Sequence, residues 1–165
     1  MRSARPLSQD FRGSAGRAAG ISRAEDAELL ASGYYEQGYH CGESVVRAIN
    51  EVAGKPLPAE AMRMASGFCE GLGGSRCVCG ALAGGVMAAG LLAGREAPTD
   101  RWEPSYDAAA ELRARWVEDQ DAESCDEVVK RIGRMRDPAR WAHCTLLVGS
   151  TARWVIEIAE REGWL

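Results

Sequence analysis

From Ser22 onward, apolar residues recur at three- and four-residue intervals, the spacing that lines one face of an α-helix. Ser22 with Glu25 three positions on reads as a capping box, and Ala27, Leu30, Ala31 and Tyr34 follow as one stripe. A second helix is predicted to start near Cys41, carry Val45, Ala48, Ile49 and Val52, and stop at Gly54 before Pro56. Pro58 opens a third helix in the first-turn position, where its missing N–H costs nothing. That helix uses Ala61, Ala65 and Phe68 and dissolves in the glycines between Gly71 and Gly74. A fourth runs from Cys79 to about Ala93, and a fifth covers Ser105–Asp119 with Tyr106, Ala109, Leu112 and Trp116 on one face. Ser124 and Glu127 cap a sixth, which ends at Gly133. The last reaches about Glu162, with its start at Pro138 or at Cys144. No segment alternates as a strand does, so the expected fold is all-α, a compact bundle of six to seven helices.

Within this pattern the 18 residues from Cys77 to Gly94 carry no charge and are flanked by Arg76 and Arg95. The length touches the lower limit for a membrane span, since ~20 apolar residues are needed to cross ~30 Å of hydrocarbon. Its small residues, among them Gly80, Ala81, Ala83, Gly84, Gly85, Ala88, Ala89 and Gly90, make it weakly hydrophobic and able to approach neighbouring backbones. It is expected to be the central helix of the bundle, and a membrane location is disfavoured.

Composition adds the frame. A chain of 165 residues fits one domain with its own core. Residues 1–22 stand apart: Arg2, Arg5, Arg12 and Arg17 face a single acid, Asp10, with no apolar periodicity, and a disordered tail is expected there. The folded domain is then 23–165. A net charge of −4 argues against nucleic acid as a partner. No early run has the pattern of a secretory signal, which points to the cytoplasm. In that compartment six cysteines are expected to be reduced, metal-bound or catalytic rather than a disulfide framework.

The placement of those cysteines is the most informative feature. Cys41, Cys79, Cys125 and Cys144 each fall at a predicted helix start, where free N–H groups and the partial positive charge favour a thiolate. Consecutive helices joined by short loops run antiparallel, which brings the starts of the second, fourth and sixth helices to one end. Cys69 and Cys77 arrive at that end through the end of the third helix and the loop after it. Cys144, even with a helix start at Pro138, has descended only ~9 Å at 1.5 Å per residue. All six cysteines are therefore expected at one end of the bundle.

The sequence around them resembles the C_GCAxxG_C_C family of redox-active proteins. Its CGAxxG motif is present as Cys79-Gly80-Ala81-Leu82-Ala83-Gly84, and the family's other cysteines match Cys41, Cys125 and Cys144 in order. The glycine-rich approach from Gly67 to Gly74 is also similar, and the resemblance covers roughly residues 24–161. Cys69 and Cys77 are not part of the usual four. The resemblance implies redox work; selenocysteine in some members points to a reactive chalcogen, and a related cytochrome domain with an iron–sulfur centre points to a bound cluster.

Three chemistries follow. Four thiolates from Cys41, Cys79, Cys125 and Cys144 are the standard set for an iron–sulfur cluster, with Cys69 and Cys77 as further candidate ligands, and electron transfer or a small redox reaction as the expected function. Helix N-termini would offset the cluster's negative charge, and the Gly71–Gly74 loop would let backbone amides approach. Alternatively, a low-pKa Cys79 attacks and Cys77 or another cysteine resolves, in thiol–disulfide chemistry without a cofactor, with Arg76, His40 and His143 as nearby cations. The third is structural zinc, although no tight two-cysteine knuckle is present. His40 and His143 each precede a family cysteine and are expected to cap a helix or hydrogen-bond a sulfur rather than ligate. Dinucleotide, P-loop and nucleophile-elbow patterns are absent, and the five tryptophans lack the basic interleaving of a nucleic-acid platform. A redox partner is implied but not identified, and a second copy of the chain could cap a site at one end of the bundle.

Overall fold

The computed structural model describes residues 20–54 and 57–165. The expected tail over residues 1–22 lies outside them up to residue 19, as does Pro56. Among the described residues there are seven α-helices: α1 (Arg23–Glu36), α2 (Cys41–Val52), α3 (Ala59–Met62), α4 (Gly80–Ala93), α5 (Glu103–Gln120), α6 (Cys125–Ile132) and α7 (Pro138–Arg161). A 3-10 stretch, Arg63–Phe68, continues α3, and the only β-type pairing there is an isolated bridge between Val78 and Ser124. The fold is all-α.

Both predicted capping boxes form. Ser22 Oγ accepts the Glu25 N–H while the Glu25 carboxylate accepts from Ser22, and Ser124 and Glu127 repeat the exchange at α6. Other expectations shift. On α1 the buried face is Ala24, Ala27, Ala31 and Tyr35; Tyr34 is half-buried and donates its hydroxyl to Glu51. Pro58 is the N-cap of α3 rather than a first-turn residue, and only one α turn follows before the chain tightens to 3-10. On α5, Ala108, Leu112 and Trp116 face inward, while Tyr106 is 62% exposed and packs edge-on against Trp102. The last helix starts at Pro138 behind an Asp137 N-cap, so Cys144 is its seventh residue and not its first.

Helix α7 packs on α1, α2, α4, α5 and α6, and α4 lies against α2, α5 and α7. Trp116, Ile49, Leu112, Ile156, Val45 and Val148 are the largest apolar side chains fully sealed in the core between them. Helix α4 keeps one face outward at Val86 and Gly90, so α7 shares its central place. At 14 residues α4 is about 21 Å long, and no helix among the described residues is long and apolar enough to cross a membrane.

One contact decides where the cysteines go. A Cβ at Gly84 would sit 2.7 Å from the Gly42 carbonyl oxygen and 2.8 Å from its Cα, so α2 and α4 touch backbone to backbone in their first two turns. The same approach leaves the α4 start beside the α2 start: a Cβ at Gly80 would lie 3.6 Å from the Cys41 Cβ.

Candidate functional site

Five cysteines meet at one end of the bundle. Cys41 is the first residue of α2, Cys79 the N-cap of α4, Cys125 the first residue of α6, and Cys144 lies two turns into α7. With Cys69, from the loop after the 3-10 stretch, they line a largely enclosed cavity of about 90 Å³. Tyr35, Val128, Val129, Met135 and Trp141 close its apolar side; His40, Glu70 and Arg140 are its polar members. Cys79, Cys125 and Cys144 are buried, and Cys41 and Cys69 half-buried.

Cys77 does not join them. It is exposed and absent from the cavity lining. Its backbone explains this. The loop from Cys69 to Cys77 folds on itself through left-handed residues Glu70, Gly71, Leu72, Gly73, Gly74 and Arg76. A Cβ on Gly71 would come within 2.8 Å of the Arg76 carbonyl carbon and the Cys77 nitrogen, so the crossing point admits only glycine. Cys77 then uses its N–H on the Gly71 carbonyl and its C=O on the Cys125 N–H, at 2.7 Å. The segment serves as the tie between the loop and α6, and its side chain is left in solvent.

The expectation that helix starts hold the thiols as thiolates is reversed at Cys41, Cys79 and Cys125. Burial pushes the Cys41 thiol up to about 12 and that of Cys125 to about 11, and raises Cys79 well above the ordinary thiol range. The neighbouring sulfurs add to each rise, because a second negative charge in the same cavity is disfavoured. Desolvation outweighs the helix termini, and at α6 the terminal N–H groups are spent elsewhere: the Cys125 N–H serves the Cys77 carbonyl and the Asp126 N–H serves the Arg76 carbonyl. At α4 the Ala81 N–H stabilises the Cys79 sulfur and at α2 the Cys41 N–H stabilises its own sulfur, but burial outweighs both.

Arg140 is the residue that sequence reading missed. Its Nη1 donates to the Tyr35 hydroxyl at 2.9 Å and lies 4.0 Å from Cys144 Sγ, while its Nε donates to the Met135 carbonyl. The guanidinium thus brings a fixed positive charge to the sulfurs, and it opposes the rise at Cys125 and Cys69. Arg140 precedes Cys144 by four positions, one helical turn, a signal visible once α7 starts at Pro138. Tyr35 stacks on Trp141 at 4.5 Å and roofs the cavity from α1.

The histidines separate. His40 is the N-cap of α2, with its backbone N–H held by Glu43, and its Nδ1 lies 2.9 Å from Cys69 Sγ. His143 Nε2 pairs with Gln120 Oε1 at 2.8 Å. Burial and the carboxylates Glu70 and Glu43 raise the Cys69 thiol.

Among the described residues no three His, Cys, Asp or Glu side chains close on a single point at metal-ligand spacing. The family cysteines instead surround a space several atoms across. As a donor set, four thiols around such a space, with a guanidinium beside them, fit a multi-atom iron–sulfur cluster better than a single zinc ion at ~2.3 Å from each sulfur.

Neither the comparison with curated proteins nor that with solved structures gives a match. A family model does, over residues 39–158, a span that begins just before Cys41 and ends beyond Cys144. The chain belongs to the family described as "Putative redox-active protein (C_GCAxxG_C_C)".

Proposed function

We propose that this protein holds an iron–sulfur cluster on Cys41, Cys79, Cys125 and Cys144 and uses it for electron transfer or a small redox reaction. The observation that carries the reading is the convergence of these four thiols, from four different helices, on one enclosed cavity. Thiols with raised pKa values make poor free nucleophiles, but a coordinating metal removes their protons outright. When bound, such a cluster supplies a one-electron acceptor and donor. The chain's own residues do the rest. Arg140 offsets negative charge beside Cys144, the Ala81 N–H reaches the Cys79 sulfur, and Val128, Val129, Met135 and Trp141 keep water out.

A second reading, thiol–disulfide chemistry, draws on the 2.9 Å contact between Cys69 Sγ and His40 Nδ1 at the half-buried rim. In it Cys69, not the buried Cys79, attacks a partner disulfide; that S–S bond breaks, a mixed disulfide forms, and the leaving sulfur takes the proton from His40. Anaerobic purification followed by a visible spectrum and assays for iron and acid-labile sulfide separates the two. Absorption near 400 nm with stoichiometric iron and sulfide supports the cluster. A colourless, iron-free protein whose thiols oxidise in pairs overturns it in favour of the second reading, and colourless protein with zinc overturns both.

A further inference from the structure

On the far side of the cysteine cavity wall lies a second concavity of about 550 Å³, within the range of small-molecule sites. Four cations line it: Arg76 from the loop, Lys130 from α6, and Arg134 and Arg136 from the turn between α6 and α7. Asp137 is the one acid among its lining residues, and its carboxylate is occupied by the Arg134 backbone N–H at 2.6 Å. Arg76 and Lys130 share Asp126, while Arg134 and Arg136 have no carboxylate partner among the described residues. This gathering of positive charge occurs in a chain whose net charge is −4.

We infer that this cleft is a binding site for a small molecule bearing a phosphate-like oxyanion, gripped by Arg134 and Arg136 with Arg76 and Lys130 at its sides. The argument rests on three observations. Guanidinium groups present paired N–H donors that match oxyanion geometry, and Arg134 and Arg136 stand here with no carboxylate in ion-pair contact among the described residues. The site is concave, which suits a small ligand better than the surface of a protein. Val129 and Met135 line both the cleft and the cysteine cavity, so a ligand anchored by its anion has its remaining atoms one side chain away from the sulfurs.

Inorganic phosphate is the direct probe, with sulfate as a second dianion, titrated into the full-length protein by calorimetry at ionic strength held constant with sodium chloride. Saturable binding at one site per chain is expected for both anions. The double variant R134E/R136E should weaken binding at least about tenfold, since charge-assisted contacts are lost and reversed. R63Q, an exposed cation elsewhere, should leave it unchanged. Both arginines are exposed, so the variant should melt with the parent, and K130Q repeats the test with a milder change. Absence of saturable binding above the chloride control overturns the inference, and so does binding that survives R134E/R136E. Neither result depends on whether the cysteine cavity holds a cluster.

Discussion

Cys79 and Cys77 are two residues apart and occupy different worlds. Cys79 caps α4 at 5% exposure, with its thiol raised by burial and by the sulfurs of Cys41, Cys125 and Cys144. Cys77 faces solvent on a loop whose backbone is committed to holding α6. The difference teaches that membership of the site is set by helix packing and not by nearness in sequence. It also divides the chemistry: a buried, crowded thiol gives up its proton readily only to a metal, whereas the exposed side chain is open to reagents in solvent.

The contrast is open to direct attack. In the reduced, metal-free protein at pH 8, an alkylating reagent should modify Cys77 first. Cys41, raised to about 12, should react more than about a thousandfold slower than a thiol of ordinary pKa near 8.5. Because its folded pKa is raised, the reactive thiolate is scarce below that value. Its rate should therefore climb roughly tenfold per pH unit towards pH 12. Peptide mapping by mass spectrometry reads both. Labelling of Cys41 or Cys79 as fast as Cys77 would remove the distinction.

A smaller effect tests what builds the buried side. Gly84→Ala forces a methyl into the Gly42 backbone, which cannot move as a side chain could, and should destabilise the protein by about 1–3 kcal/mol. Gly90→Ala, in the same helix with nothing within 4 Å, should instead stabilise by up to about 1 kcal/mol. Denaturant unfolding of both variants gives the comparison. Equal responses would mean that α2 and α4 do not meet as described.

Much of this end of the molecule could be read from the residues alone. The two capping boxes, the uncharged helix after Cys77 and the order of up and down helices were enough to gather Cys41, Cys69, Cys79 and Cys125. Cys144 lies at that end as expected for a helix that starts at Pro138, one of the two starts the sequence leaves open. The run from Pro138 to His143 has no apolar stripe to mark a helix, although Asp137-Pro138 is itself an N-terminal signal. Cys77 lies in the loop at that end as expected but outside the cavity lining, because the direction of its side chain depends on a string of left-handed residues, two of them Glu70 and Leu72, which no local propensity announces. The sign of the thiol shifts was missed too: helix position is legible in a sequence, but burial against three other sulfurs is a tertiary property.

The smallest effect concerns Arg140. With a cluster bound, Arg140→Gln removes a positive charge beside Cys144 and so disfavours the more negative, reduced state. The midpoint potential should fall by about a few tens of millivolts, with iron content unchanged. An unchanged potential would show that the guanidinium serves only to hold Tyr35 and the Met135 carbonyl.

The central claim is that four cysteines, and not their exposed neighbour, form one metal-holding set. Iron and sulfide per chain, measured after identical anaerobic reconstitution of the six single Cys→Ser variants, tests it most directly. Substitution of Cys41, Cys79, Cys125 or Cys144 should each remove most of the bound iron and sulfide, and Cys77→Ser should retain the full amount. Full incorporation in any of the four, or its loss in Cys77→Ser, would contradict the account.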